Sequence, residues 1–224
     1  MRTLAVGDVH GCLAALDALL GVVNPGPDDY LVTLGDYVDR GPDSRGVLDR
    51  LAALFDAGRL VALRGNHDQM MVEARDDARE RRVWLACGGK ETLRSYGHGP
   101  HDETYDRVPE RHWQFLERDC RPWYETDTHI YVHASLYPDL PMAEQPAYML
   151  LWEKLAGPVA HESGKVVVCG HTRQAGPPLD LGSTVCIDTG AYDRDGWLTC
   201  LHAEAGRYWQ ANQRGQTRAG WLGG

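Results

Sequence analysis

At 224 residues, 43% hydrophobic and 25% charged, the chain can bury a substantial core and has the length of one α/β domain, so a single domain over 1–224 is expected. A formal net charge of −9 excludes broad contact with nucleic acid or an anionic membrane, either of which needs a basic surface. Apolar runs at 60–63, 129–132 and 165–169 fall far short of a bilayer span and no signal-peptide pattern opens the chain, so a cytoplasmic location is expected.

The first seventy residues hold one arrangement three times: an apolar run, a polar turn and a stretch with helical spacing. Residues 3–6 lead into Gly7-Asp8-Val9-His10-Gly11, after which Leu13, Leu16, Leu19, Leu20 and Val23 predict a helix ended by Asn24-Pro25-Gly26-Pro27. Residues 30–34 lead into Gly35-Asp36-Tyr37-Val38-Asp39-Arg40-Gly41, followed by Val47, Leu48, Leu51, Leu54 and Phe55 up to Gly58. Residues 60–63 lead into Arg64-Gly65-Asn66-His67-Asp68. A third helix is expected from Asp68 through Met70, Met71 and Ala74 into the charged stretch 75–82, read as a solvated face.

Turns spaced about thirty residues apart match a strand, a helix and a return to a parallel neighbour. Parallel strands joined this way bring their carboxyl ends to one edge, where open α/β sheets place ligands. A mostly helical segment at about 84–120 follows, with a polar loop over 97–105. Strand-like runs resume at 122–126, 129–133, 165–169, 184–188 and 196–202. Two of them end in further polar residues, Ile130-Tyr131-Val132 in His133 and Val166-Val167-Val168-Cys169 in Gly170-His171-Thr172. The glycine-rich C-terminal end is expected to fray.

Brought together, the turns present carboxylates, imidazoles and an amide with no thiol, a donor set for borderline-hard divalent metals. Metal pairs about 3.5–4 Å apart serve many phosphatases and nucleases, and such a pair needs a bridging carboxylate. Asp36 is the natural bridge, with Asp8 and His10 completing one ion's set and Asn66, His133 and His171 the other's. Two dications against Asp8, Asp36 and a bridging hydroxide leave net positive charge for a phosphate, and a metal-activated water of pKa about 7 is the expected nucleophile. Arg40 offers a planar fork for two phosphate oxygens. His67 is read as the general acid for the leaving oxygen, with Asp39 fixing and charging its imidazole.

These turns resemble the signature set of the phosphoprotein phosphatase family of calcineurin-like metallophosphoesterases. The resemblance rests on Gly-Asp-x-His-Gly at 7–11, Gly-Asp-x-Val-Asp-Arg-Gly at 35–41, Gly-Asn-His-Asp at 65–68, His133 and Gly-His-Thr at 170–172, in order. Gly-Gly-x-x-Thr-Leu-x-Ser-Tyr-Gly at 88–97 and Ile-Asp-Thr-Gly at 187–190 resemble bacterial and phage members of the lambda phage protein phosphatase type. The resemblance implies a four-layer α/β/β/α sandwich with two mixed β-sheets and a dinuclear centre, commonly manganese-activated, with iron or zinc as alternatives. It also implies hydrolysis of phosphoserine, phosphothreonine and sometimes phosphotyrosine in protein or peptide substrates. Asp8 and His10 match ligands of one metal, Asp36 the bridge, and Asn66, His133 and His171 ligands of the other; Asn66 also counts among the phosphate contacts. Asp39 and His67 match the acid dyad and Arg40 the phosphate clamp. A second phosphate-binding arginine is expected shortly after a tryptophan, but Trp152-Glu153 is followed by Lys154, which keeps the charge and loses the fork.

The same motifs also fit a symmetrical diadenosine-tetraphosphate hydrolase, whereas a binding scaffold that has lost catalysis would show gaps among these positions, and none is present. His98, His101, His112, His129, His161 and His202 fall outside the motifs and read as surface or core residues, as the tryptophans read as core and groove lining. Asp188 lines the site or caps a turn. Six dispersed cysteines read as small core residues rather than a disulfide framework.

Overall fold

The computed structural model describes residues 2–99 and 101–223. In chain order the first half holds β1 (Thr3–Val6), α1 (Leu13–Val23), β2 (Tyr30–Thr33), α2 (Ser44–Asp56), β3 (Leu60–Ala62), α3 (Asn66–Ala74), α4 (Ala78–Trp84), α5 (Lys90–Ser95) and α6 (Glu110–Gln114). The second half holds β4 (Trp123–Glu125), β5 (His129–Val132), α7 (Ala147–Trp152), β6 (Val166–Cys169), β7 (Leu179–Asp180), β8 (Thr184–Cys186), β9 (Leu198–His202), β10 (Arg207–Ala211) and β11 (Thr217–Trp221).

Successive side chains on a strand point to opposite faces, and that alternation builds the layers. In β1, Leu4 and Val6 enter a core beneath the helices while Ala5 enters a second core; β2 divides Leu31 and Val32 likewise. In β5, Tyr131 joins that second core, whereas Ile130 and Val132 join a third. The second core therefore lies between two sheets, one of six strands in the order β11-β10-β9-β1-β2-β3 and one of five in the order β4-β5-β6-β8-β7. Both are mixed: β1, β2 and β3 run parallel, as do β5, β6 and β8, with antiparallel partners outside them. This is the four-layer α/β/β/α sandwich, although its last layer is thin, made of α7, a 3₁₀ turn at Met142–Glu144 and irregular chain.

Three expectations change. The third helix breaks before Ala78, because the Asp77 carboxylate accepts from the Arg79 and Glu80 amides and caps a new helix. The 84–120 segment is helical but in pieces: Gly88, at φ +120°, kinks the chain between α4 and α5. Toward the C-terminus, Thr217–Trp221 form β11, antiparallel to β10, where Gly220 leaves the space that the Tyr208 ring fills, and residue 224 of the glycine-rich end lies outside the described residues. All six cysteines are free; burial pushes the Cys12 and Cys200 thiols up to about 12, and Cys87 is exposed. Among the described residues no helix is long and apolar enough to cross a membrane.

Candidate metal centre

Each parallel strand ends by delivering a polar side chain to the same edge: β1 Asp8 and His10, β2 Asp36, β3 Asn66, β5 His133, β6 His171 and β8 Asp188. Tight turning has a cost that is visible in the backbone. Of the six described non-glycine residues at positive φ, five are His10, Asp36, Asp39, Arg40 and His171, and such angles mark functional sites because the surrounding structure must impose them. Asp68 is one device that does so. Its carboxylate accepts from the Asp36 and Gly65 amides at 2.8 and 2.9 Å and from the Tyr37 amide at 2.9 Å, clamping the second turn to the third. Burial and the nearby Asp36 charge push Asp68 up to about 8.

The imidazoles are aimed by carbonyls. His10 Nδ1–H donates to the Val38 carbonyl and His133 Nδ1–H to the Leu34 carbonyl, both at 2.9 Å, while His171 Nε2–H donates to the Trp152 carbonyl at 3.1 Å. Each ring is left with a lone pair directed inward, the arrangement that fixes a metal-binding tautomer. Asp36 separates its oxygens between them, Oδ2 lying 3.3 Å from His10 Nε2 and Oδ1 3.5 Å from His133 Nε2. Asn66 Oδ1 lies 3.0 Å from His133 Nε2 and 3.1 Å from His171 Nδ1. An acceptor facing two ring lone pairs is an unfavourable contact that a cation between them resolves.

Two donor groups emerge by distance, Asp36 with His133 and His171, and Asp36 with His10 and His67. His67 thus stands closer to the first set than its reading as an acid requires. Asp8 lies outside both groups; its carboxylate accepts from the His171 amide at 3.1 and 3.3 Å and lines the cavity. Burial raises the Asp8 carboxyl well above its ordinary value, reinforced by the charges of Asp188 and Asp36. Burial alone would raise Asp36 also, but the imidazoles of His133, His67 and His10 hold it well below the carboxylate range. Burial lowers His133, and burial with neighbouring His133 lowers His171 to about 4, so both rings are neutral at pH 7 and able to ligate. Crowded carboxylates, neutral imidazoles and a directed amide oxygen fit a pair of divalent cations.

Beside this set, His67 Nδ1–H donates to Asp39 Oδ2 at 2.7 Å. Asp39 is fully buried and also accepts from Trp84 Nε1 at 2.9 and 3.0 Å and from Thr92 Oγ1 at 2.8 Å. Burial raises Asp39, opposed by its bonds from His67 and Thr92. The Arg40 guanidinium donates to His10 Nε2 at 3.1 Å and to His67 Nε2 at 2.8 Å, and lies 4.6 Å from the centroid of the Tyr192 ring. Lys154 lines the same cavity of about 290 Å³, together with Thr172, Arg173 and Asp188. Asp188 serves both expected purposes, since its Oδ1 also accepts from the Gly190 amide at 3.0 Å. A separate apolar groove of about 500 Å³ runs along α7 between Trp123, Met142, Tyr148 and Trp152.

A cluster of this composition at the shared strand ends of a two-sheet sandwich defines a metal-assisted phosphoester hydrolase. The chain belongs to the calcineurin-like phosphoesterase family, whose model matches residues 1–174; members use a pair of divalent metals. It is 33% identical over 195 residues to serine/threonine-protein phosphatase 1 of Salmonella typhimurium, covering 83% of this chain and 85% of that protein. It is 52% identical to the symmetrical bis(5'-nucleosyl)-tetraphosphatase of Pectobacterium carotovorum, but over 69 residues, 30% of this chain and 24% of that enzyme. In fold it matches a solved structure assigned provisionally as a diadenosine tetraphosphatase, with a TM-score of 0.70 and 22% identity over 99% of this chain and 95% of the other.

Sequence reading missed Trp84, Thr92, Tyr192 and Arg173. Thr92 falls inside the Gly-Gly-x-x-Thr-Leu segment, but nothing local marks it as a partner of Asp39, which stands 53 residues earlier.

Proposed function

We propose that the chain is a phosphomonoesterase dependent on two divalent metals that dephosphorylates serine or threonine residues of protein or peptide substrates in the cytoplasm. The observation that carries the hydrolytic reading is Asp36, whose two oxygens divide between His10 and His133. The phosphoprotein reading is supported by the extent of the likeness to the Salmonella phosphatase, 85% of that protein against 24% of the Pectobacterium enzyme.

Asp8, His10 and Asp36 would hold one ion, and Asp36, Asn66, His133 and His171 the other, with manganese the proposed metal and iron or zinc the alternatives. When bound, such a pair supplies Lewis-acid charge and lowers the pKa of water to about 7. Arg40 is hydrogen-bonded to His10 and His67; a phosphate dianion, as the stronger acceptor, draws its fork away and takes two parallel bonds. That transfer frees His67 Nε2 to carry a proton, while Nδ1–H stays on Asp39 and the buried carboxylate stabilises the charged ring. His67 then hands its Nε2 proton to the departing serine or threonine oxygen. Asn66 and Lys154 add contacts to the remaining phosphate oxygens.

The deciding assay sets a phosphoserine peptide, a phosphotyrosine peptide and diadenosine tetraphosphate side by side with added manganese and after chelation. Manganese-dependent release of phosphate, fastest from the phosphoserine peptide, is expected. Exclusive cleavage of the dinucleotide into two nucleoside diphosphates would establish the alternative, a symmetrical diadenosine-tetraphosphate hydrolase. For the acid, His67→Asn should lose turnover with both metals retained, and unchanged turnover would overturn its role.

A further inference from the structure

Three cationic side chains line the catalytic cavity, Arg40, Lys154 and Arg173, and the phosphate accounts for the first two. Arg173 stands two residues beyond His171 and is positioned by a single turn. Its Nε donates to Asp193 Oδ2, and its side chain passes directly over Gly190, where a methyl group would strike both Arg173 Nε and Asp193 Oδ2. Gly190 sits at φ +66°, and its carbonyl accepts from the Asp193 amide at 2.9 Å, closing the turn. The same turn carries Tyr192, the ring beneath Arg40. One segment, 190–193, therefore sets two guanidiniums at one cavity, Arg40 on an aromatic face and Arg173 on a carboxylate.

Asp193 occupies only Nε. Among the described residues no protein group takes either Nη nitrogen of Arg173, and the side chain is 51% exposed, at the mouth rather than the floor. The Nη pair is itself a two-donor edge that matches one carboxylate. The local charge sets the size of the anion: Arg173 is the cavity cation left over from the phosphate, and Asp193 offsets part of its charge, which suits a single negative group and opposes a chain of several phosphates.

Resting on the phosphoprotein reading above, we propose that Arg173, held by Asp193 over Gly190, is a specificity residue that binds the carboxylate of an aspartate or glutamate next to the phosphorylated residue of the substrate.

The test compares phosphoserine peptides that differ only in carrying Asp, Asn or Lys beside the phosphoserine, on either side. Wild type should favour the Asp peptide over the Asn peptide by about tenfold in kcat/KM, expressed mainly in KM and declining with added salt, as a charge-assisted bond at a half-exposed site predicts. Arg173→Gln should bring that ratio to about one, Arg173→Lys should keep part of it, and Arg173→Glu should reverse it in favour of the Lys peptide. The double variant Arg173→Gln with Asp193→Asn separates binding from mere neutralisation of Asp193. It should stay without preference, and a return of the preference would overturn the proposal. Hydrolysis of all peptides by wild type without preference would overturn it alone, leaving the phosphoprotein reading intact. Hydrolysis of the dinucleotide with no peptide hydrolysed would overturn both. An Arg173→Gln effect confined to diadenosine tetraphosphate would assign the fork to a polyphosphate instead and equally overturn it.

Discussion

Replacing Trp84 by Phe tests whether the helical segment controls the acid. Trp84 is fully buried, and its Nε1–H reaches both oxygens of Asp39, one of three side chains that donate to this carboxylate. Removing a hydrogen bond to a buried charge costs about 1.5–3 kcal/mol. The smaller ring adds a void worth about 1 kcal/mol. Trp84→Phe should therefore lose about 3 kcal/mol, read from urea midpoints at unchanged slope. With fewer donors the Asp39 carboxyl moves upward, so it remains neutral to higher pH and supports a charged His67 less well. The low-pH limb of kcat should shift toward neutrality, and kcat should fall about tenfold, part of the 10²–10⁴ a general acid supplies. A loss of about 3 kcal/mol with kcat and the pH limb unmoved would refute the reasoning, leaving Trp84 as packing alone.

Gly170→Ala places a methyl group against Asp8 Oδ1 in a buried turn; metal analysis should find the bound content falling from two ions toward one, with the fold retained by circular dichroism. Asp29 is held well below the carboxylate range by its hydrogen bonds from Arg2 Nε and Nη2 at 2.9 and 2.5 Å. That tie is fully present above the ordinary aspartate value and is lost as pH falls below it, so Asp29→Asn should cost up to about 1 kcal/mol at pH 7. The difference from wild type should vanish in melts at the acid extreme.

The strand-end residues were legible because chemistry and secondary structure coincide there: Asp8, Asp36, Asn66, His133 and His171 each interrupt an apolar run where a chain in a buried sheet has no other reason to turn polar. The alternation that separates Leu4 and Val6 from Ala5 is likewise local and readable. Partners recruited from afar were not. Trp84 meets Asp39 across 45 residues, through a kinked helical segment whose sequence says only that it is helical. Nothing in the sequence around Arg173 marks it, because Gly190 and Asp193, which hold it, stand about twenty residues further on. β11 was hidden for a different reason: it is an exposed edge strand, with no apolar face to announce it. The break after α3 was missed because the Asp77 cap lies inside a run of charges that resembles a continuous solvated helix.

The left-handed backbone of His10, Asp36, Asp39, Arg40 and His171 carries a consequence beyond geometry. Each such angle costs on the order of 1–3 kcal/mol, against a margin of about 5–15 kcal/mol for a whole domain. This sheet edge is therefore the part of the molecule with most to gain by relaxing, and it keeps its shape because three apolar interiors outvote it. Damage to those interiors, far from any reacting atom, should silence the enzyme before it unravels the chain.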